Sequence, residues 1–351
     1  MTCILLNKPS WEAVEEGLSE DINILSSYLK DWRLKLSVEK TVSTMFHLYN
    51  KEANRNINIM VDNARLQSQS SPTYLGVKLD RTLSFKEHLD SVKGKTTARA
   101  ALIRRLAGTT WGATTKTLRI STEALVLPSA EYCAPVWSRS PHVKKLDAAL
   151  NTALRTVSGC LRATPTNQLP VLAGIAPAEV RREAATLALA RKAQLSESHL
   201  LHKVVTETPR RTRLKSRRPF AIHAQELLRT TPADTSKASW VKARWRDQWK
   251  AAVPSRLHLF IEDPTDVPGQ HLPRKEWTTL NRLRTGVGRF GAAMQKWGLT
   301  DNAHCKCGDP SQTVEHVTTS CPIYRPPNGD RGLIDLDSDT LDWLAATELE
   351  V

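Results

Sequence analysis

Tyr74-Leu75-Gly76-Val77-Lys78-Leu79-Asp80 is the stretch on which the reading of the fold turns. Tyr74, Val77 and Leu79 are strand formers, while Gly76 has no Cβ and lets another backbone or a ligand approach. Taken alone, the run reads as one buried strand with a bulge at its glycine. Its surroundings add meaning. The residues before it read as mixed helix and strand, and those after it as helices rich in Arg and Lys, so the run marks a seam.

On the N-terminal side, Ile57 to Val61 and Ala64 to Leu66 flank Asp62-Asn63, the pattern of a hairpin turn. Val42, Thr44, Phe46 and Leu48 alternate as a strand with one buried face does. Farther back, Pro9-Ser10 supplies a helix start. Trp11, Val14, Leu18, Ile22, Leu25, Leu29 and Trp32 then recur at helical spacing, predicting an amphipathic helix packed on a sheet. Cys3-Ile4-Leu5-Leu6 reads as a short strand with no earlier partner, as in a truncated fold.

On the C-terminal side, Phe85 to Ala107 is expected to be helical, with Leu89, Val92, Ala100, Ile103 and Leu106 inward. Gly108 and Gly112 bracket a turn, and Thr115 to Leu127 is expected to form a helix that ends before Pro128. Pro177 to Val205 reads as one long helix. It is broken by a cluster of Arg210, Arg211, Arg213, Lys215, Arg217 and Arg218, which reads as a nuclear address, a phosphate-binding arm or a solvated linker. Asp234 to Val253 predicts a helix whose Trp240, Trp245 and Trp249 are packing residues first and base-stacking candidates second. After a proline-containing connection, two short helices carrying Trp277, Leu280, Leu283, Phe290, Met294 and Trp297 surround Gly286-Val287-Gly288.

The chain has 351 residues with 40% apolar content, enough for two or three domains and a sizeable core. Its formal charge is +14, which suits a polyanionic partner such as RNA or DNA. Between Leu189 and Arg256 sixteen Lys and Arg face five Asp and Glu, whereas Met1 to Asn50 carries five against seven. With no secretory signal and no apolar run of the roughly eighteen residues a membrane span needs, the chain reads as intracellular, with no membrane partner. A disulfide framework is correspondingly disfavoured.

Of the six cysteines, three cluster near a histidine in the order Cys305, Cys307, His316, Cys321, with the spacing Cys-x-Cys-x8-His-x4-Cys. Four soft or borderline donors on two adjoining segments suit tetrahedral zinc in a closed, structural site. His304 is a geometrically poorer competitor. Asp335, Asp337, Asp339 and Asp342 read as an acidic, solvated tail rather than a cation site. No nucleophile, triad or phosphate loop stands out.

Strand, long helix, a turn at Leu36-Ser37-Val38-Glu39-Lys40-Thr41, hairpin, then Tyr74-Leu75-Gly76 resemble, in that order, the end of the palm of a non-LTR, jockey-like retrotransposon reverse transcriptase. The family turn reads Leu-Asn-x-x-Lys-Thr, with Ser37 here in place of Asn. Leu127-Pro128-Ser129-Ala130-Glu131-Tyr132-Cys133-Ala134-Pro135-Val136-Trp137 resembles the thumb pattern Pro-x-x-x-Tyr-x-x-x-Val-Trp. Leu154-Arg155, Gly159 to Pro165 and Leu172 to Pro177 also match. Together the matches cover roughly Met1 to Ala190, and Glu315-His316 with the three cysteines is similar to the zinc motif toward the end of such proteins.

The resemblance implies an α+β, mostly α fold. Residues 1–83 would be a rear palm remnant, 84–207 a helical thumb, 208–273 a basic helical connector, and 274–351 C-terminal helices with the zinc motif and the acidic tail. Tyr74 and Gly76 would form the primer grip, and Arg99, Arg104, Arg105 and the Arg210 to Arg218 cluster would meet phosphates. Lys40 would be a relic of a proton donor. The family's Tyr-x-Asp-Asp or Phe-x-Asp-Asp pair is absent, so Mg2+ would belong only to a full-length catalytic ancestor, and this chain alone is expected not to polymerise. The alternative expectation is a non-enzymatic nucleic-acid-binding or interaction module, or a decayed relic, with another retrotransposon protein as a further partner.

Overall fold

The structure, a computed structural model, describes residues 3–52, 54–207 and 219–351. The chain divides into two compact units, one of residues 1–91 with 140–142, the other of residues 92–139 with 143–351.

In the first unit α1 (Trp11–Asp31) begins at Ser10, whose hydroxyl accepts the Ala13 N–H at 3.2 Å. Among the described residues six two-residue strands follow: β1 (Val42–Ser43), β2 (Met60–Val61), β3 (Ala64–Arg65), β4 (Gln67–Ser68), β5 (Thr73–Tyr74) and β6 (Val77–Lys78). They pair as β1 parallel to β4, and as the antiparallel hairpins β2-β3 and β5-β6. The apolar face of α1 meets Ile57, Ile59, Val61 and Leu66 through Leu18 and Ile22, as the periodicity predicted.

Along the β2 edge α1 takes the place of a neighbouring strand. Glu15 Oε1 accepts the Asn58 N–H at 3.0 Å, Ser19 Oγ accepts that of Met60 at 3.2 Å, and Asn23 Oδ1 accepts that of Asp62 at 3.3 Å. Residues four apart stack on one side of the helix, so these three satisfy an open edge that would otherwise seek a strand. Cys3-Ile4-Leu5-Leu6 and Thr44 to Leu48 carry no strand hydrogen bonding and are corrected accordingly.

Tyr74 to Asp80 also depart from the single bulged strand expected of them. Leu75 and Gly76 both have positive φ, 46° and 82°, as both central residues of a type I′ turn require. Tyr74 therefore pairs with Val77 across a hairpin, and no single bulged strand runs through them. Val77 is buried, Tyr74 half-buried and Gly76 exposed at the tip. The run ends at Asp80, whose carboxylate accepts from Ser84 N, Ser84 Oγ and Thr82 Oγ1 at 2.8, 3.0 and 3.2 Å. Burial pushes that carboxyl up, but these bonds outweigh it and its pKa is lowered.

The helix α2 (Lys86–Arg104) buries Leu89, Val92, Ala100 and Ile103, while Leu106, beyond its end, is exposed. Next come α3 (Thr115–Ser121), a π-turn at Thr122–Val126 and α4 (Leu127–Glu131). The helix expected to stop before Pro128 runs on through it. The π-turn, with Leu127 N–H reaching back to Thr122 O, shifts the register so that Pro128 opens a new helix where its missing N–H is harmless. α5 (Ala134–Trp137) buries Trp137, whose Nε1–H donates to Tyr132 O at 2.8 Å.

α6 (Val143–Ser158), α7 (Leu169–Ala173) and α8 (Ala178–Gln194) bury Leu146, Leu150, Leu154, Val171, Leu172, Val180 and Leu187 among others, and Arg182 on α8 pairs with Asp147 on α6 at 2.7 Å. The long helix expected to Val205 breaks after Gln194 and resumes as α9 (His202–Thr206). Ala190, Ala193, Val205 and Ala224 then form a small core between α8, α9 and α10 (Phe220–Thr230). On α11 (Lys237–Ala251) Trp245 and Trp249 are buried, in keeping with the packing reading.

α12 (Arg274–Thr285) is the axle of the second unit, with ten of its twelve residues buried. α13 (Gly291–Lys296), α14 (Gly329–Asp335) and α15 (Ser338–Ala346) complete the chain. The acidic stretch is folded. Asp337 caps α15 by accepting the Thr340 N–H at 2.8 Å, whereas Asp335, Asp339 and Asp342 remain exposed.

The turn at Leu75-Gly76 yields a test. A non-glycine residue at left-handed φ costs about 1 kcal/mol, which Asn avoids. Leu75→Asn should raise stability by about that amount, read from the urea midpoint. A clear loss would argue that residue 75 sits in an extended strand instead.

Candidate metal centre and basic surface

Cys305, Cys307, His316 and Cys321 converge so that one donor atom from each lies within 4.8 Å of all the others. The first two come from a tight turn in which Gly308 N–H donates to Cys305 O at 3.0 Å and Cys305 N–H to Asp309 O at 2.9 Å. The other two bracket a π-turn, His316–Ser320, which closes with Cys321 N–H on His316 O at 2.8 Å. That widened turn lets residues five apart aim at one point.

The thiols of Cys305 and Cys321 are 3.7 Å apart, and Cys307 Sγ is 3.2 Å from His316 Nε2. An edge of about 3.8 Å is what two sulfurs at tetrahedral zinc distance share. The opposite ring nitrogen, His316 Nδ1, faces Asp309 Oδ2 at 3.3 Å and Ser320 Oγ at 3.2 Å, which leaves Nε2 to point at the cluster. Gln312 Nε2–H to Cys305 Sγ, 3.6 Å, and Tyr324 N–H to Cys321 Sγ, 3.3 Å, favour thiolates. Burial pushes the Cys305 thiol up, yet the hydrogen bonds from Cys307, His316 and Cys321 prevail and bring it down to about 7. The four residues could hold a metal ion, with three sulfurs and one imidazole leaving no open position. His304 is exposed and outside the cluster.

Asp309, Gln312 and Ser320 were not singled out from the sequence. Ser320, four residues after His316, could have been found from helical spacing; Asp309 and Gln312 depend on loop geometry.

The basic residues sort into two groups. Arg104 and Arg105 are exposed, and Arg99, also exposed, donates to Leu125 O at 2.9 Å within the π-turn. Lys40 is exposed in a 3-10 turn, Val38–Lys40. Arg210, Arg211, Arg213, Lys215, Arg217 and Arg218 lie outside the described residues.

The second group is buried on α12, where sequence reading saw no role. Arg274 donates to Gly108 O, Val157 O and Thr156 O at 2.8, 2.8 and 2.7 Å. Asn281 donates to Ser158 O at 2.8 Å, and Arg282 to Gly159 O at 3.1 Å and to the Val351 oxygen. Arg284 donates to Leu333 O at 2.7 Å and Pro268 O at 2.8 Å. Burial pulls each of the three arginines down to about 10, so they remain cations at neutral pH. Arg256 links this axle to the loop of the Cys/His cluster, donating to Leu283 O at 3.2 Å, Thr318 Oγ1 at 3.2 Å and Asp330 Oδ1 at 2.8 Å. Among the described residues no helix is long and apolar enough to cross a membrane.

No family model matches the chain, and no solved structure matches it. Curated proteins do. The Retrovirus-related Pol polyprotein from type-1 retrotransposable element R1 2 of Nasonia vitripennis is 24% identical over 334 residues, 92% of this chain and 76% of that protein. The R1 Pol polyprotein of Bradysia coprophila is 24% identical over 335 residues, again 92% of this chain, of which the chain spans only 31%. The probable RNA-directed DNA polymerase from transposon BS of Drosophila melanogaster is 25% identical over 146 residues, 41% of this chain and 16% of that protein. Over nine-tenths of its length the chain is thus a relative of the R1 non-LTR retrotransposon Pol polyproteins, consistent with a portion of a reverse transcriptase.

Proposed function

We propose that the chain is a nucleic-acid-binding, zinc-stabilised portion of a non-LTR reverse transcriptase that supplies primer and product contacts and does not polymerise alone. The similarity to R1 Pol polyproteins across 92% of the chain carries this reading. The absence of an Asp-Asp pair anywhere in the sequence supports the second half, because two-metal phosphoryl transfer needs carboxylates to hold both ions. Mg2+ would therefore be bound by carboxylates that this chain does not carry.

In this reading residues 1–83 are the rear of a palm, 84–207 a thumb, 208–273 a basic connector and 274–351 the zinc-bearing end. The exposed tip at Gly76, with Tyr74 beside it, favours a primer-grip role, since bare backbone at a hairpin tip can approach a sugar-phosphate chain closely. Arg99, Arg104, Arg105 and the Arg210 to Arg218 cluster meet phosphates, and the cluster also serves as a nuclear address. Lys40 is a relic.

Zinc contributes to folding here because the stretch from Ala303 to Tyr324 buries only a few apolar side chains besides its cysteines, namely Ala303, Val314, Val317 and Tyr324. Elemental analysis of the purified chain should give one zinc per molecule. Cys307→Ser should abolish it, and Asp309→Asn should weaken affinity by about 10- to 100-fold. A wild-type chain without zinc, resisting chelators, would contradict the assignment.

Binding to RNA or DNA should fall at least ~10-fold between about 50 and about 200 mM salt, as counterion release requires. Salt-independent binding, or none, would remove the nucleic-acid reading.

A further inference from the structure

Trp111 is 61% exposed, yet the segment that carries it is tightly built. Ala107 and Gly112 form an antiparallel bridge, Gly108 N–H donates to Trp111 O at 3.0 Å, and Ala113 N–H to Leu106 O at 2.9 Å. The indole rests on Gly108, where an added Cβ would come within 2.4 Å of Trp111 Nε1. The Nε1 edge of the ring therefore lies against Gly108, while most of the residue stays exposed. Gly108 O also receives the Arg274 Nε–H at 2.8 Å, so the turn is fastened to the buried axle helix. Arg104 and Arg105, both exposed, sit at the end of α2 just before the bridge.

Leaving a large aromatic in water forgoes the burial its surface could give. A lone exposed indole on a slack loop would need no further account. Here the ring is seated against Gly108 in a hydrogen-bonded turn, and two exposed cations lie at and just past the end of the helix that leads into it. A fixed aromatic face next to phosphate-binding charge is the arrangement that stacks unpaired bases, because every base offers a π-face.

We propose that Trp111 is a stacking platform for an unpaired base of single-stranded nucleic acid, with Arg104 and Arg105 meeting the adjoining phosphates. This inference rests on the nucleic-acid-binding reading above and adds a residue and a strand preference to it. Stacking supplies affinity that salt hardly touches; the arginines supply the salt-dependent part.

The test uses the full chain with a labelled single strand of about twenty nucleotides and a blunt duplex of the same length. Trp111→Ala should weaken single-strand binding by ~5- to 150-fold. The salt slope and the duplex affinity should stay as in the wild type, and Trp111→Phe should recover most of the loss. Replacing Arg104 and Arg105 together with Ala should instead flatten the single-strand salt slope by roughly 1.4, about 0.7 per phosphate. Unchanged single-strand affinity in Trp111→Ala, or an equal loss on duplex, overturns the stacking role while leaving general binding intact. Failure of the wild type to bind either probe overturns both readings.

Discussion

The last carbonyls of an α-helix have no partner within the helix, and at the end of α6 they point into the interior. α12 satisfies them with side chains: Arg274 takes Thr156 O and Val157 O, Asn281 takes Ser158 O, and Arg282 takes Gly159 O. Positive charge at a helix C-terminus is favourable, the more so where water is excluded. The approach is close enough that a Cβ on Gly159 would come within 2.3 Å of Thr278 Oγ1, so the junction requires glycine there. From this junction the same helix reaches Leu333 through Arg284 and Gly108 through Arg274, while Arg256 ties its end to Thr318 in the loop of the Cys/His cluster. The Trp111 turn, the Cys/His loop and the final helices are positioned by one buried, positively charged helix.

This changes what the net charge of +14 means. Arg274, Arg282 and Arg284 are enclosed and satisfied by carbonyl oxygens, and Arg256 is engaged by Asp330, so none of the four is a free phosphate ligand. Arg104 and Arg105 remain exposed. A basic composition is therefore a weaker map of a nucleic-acid footprint than the count suggests, because arginine's fork of donors also serves to cap buried carbonyls.

Much of this was legible in the sequence. The period of Trp11 to Leu29 predicted α1, Asp62-Asn63 predicted its hairpin, and the spacing of Cys305, Cys307, His316 and Cys321 predicted a cluster that the fold assembles. The order of motifs pointed to a non-LTR retrotransposon reverse transcriptase, and the relatives found are R1 Pol polyproteins. Other features depended on information that residue patterns lack. Leu75 gives no hint of positive φ, so Tyr74 to Asp80 read as one strand when it is a hairpin. Pro128 signals a helix end unless a π-turn shifts the register before it. The arginines of α12 carry no sequence signal of their role, which depends on the α6 carbonyls that the fold places opposite them.

The claim that α12 holds the second unit together is tested most directly by native-state hydrogen exchange. The account predicts that amides at the end of α6, along α12 and in α14 are among the slowest in the second unit and exchange as one group, and that Arg282→Met accelerates all three. Fast exchange along α12 while the end of α6 stays protected, or a variant effect confined to α12, would contradict it.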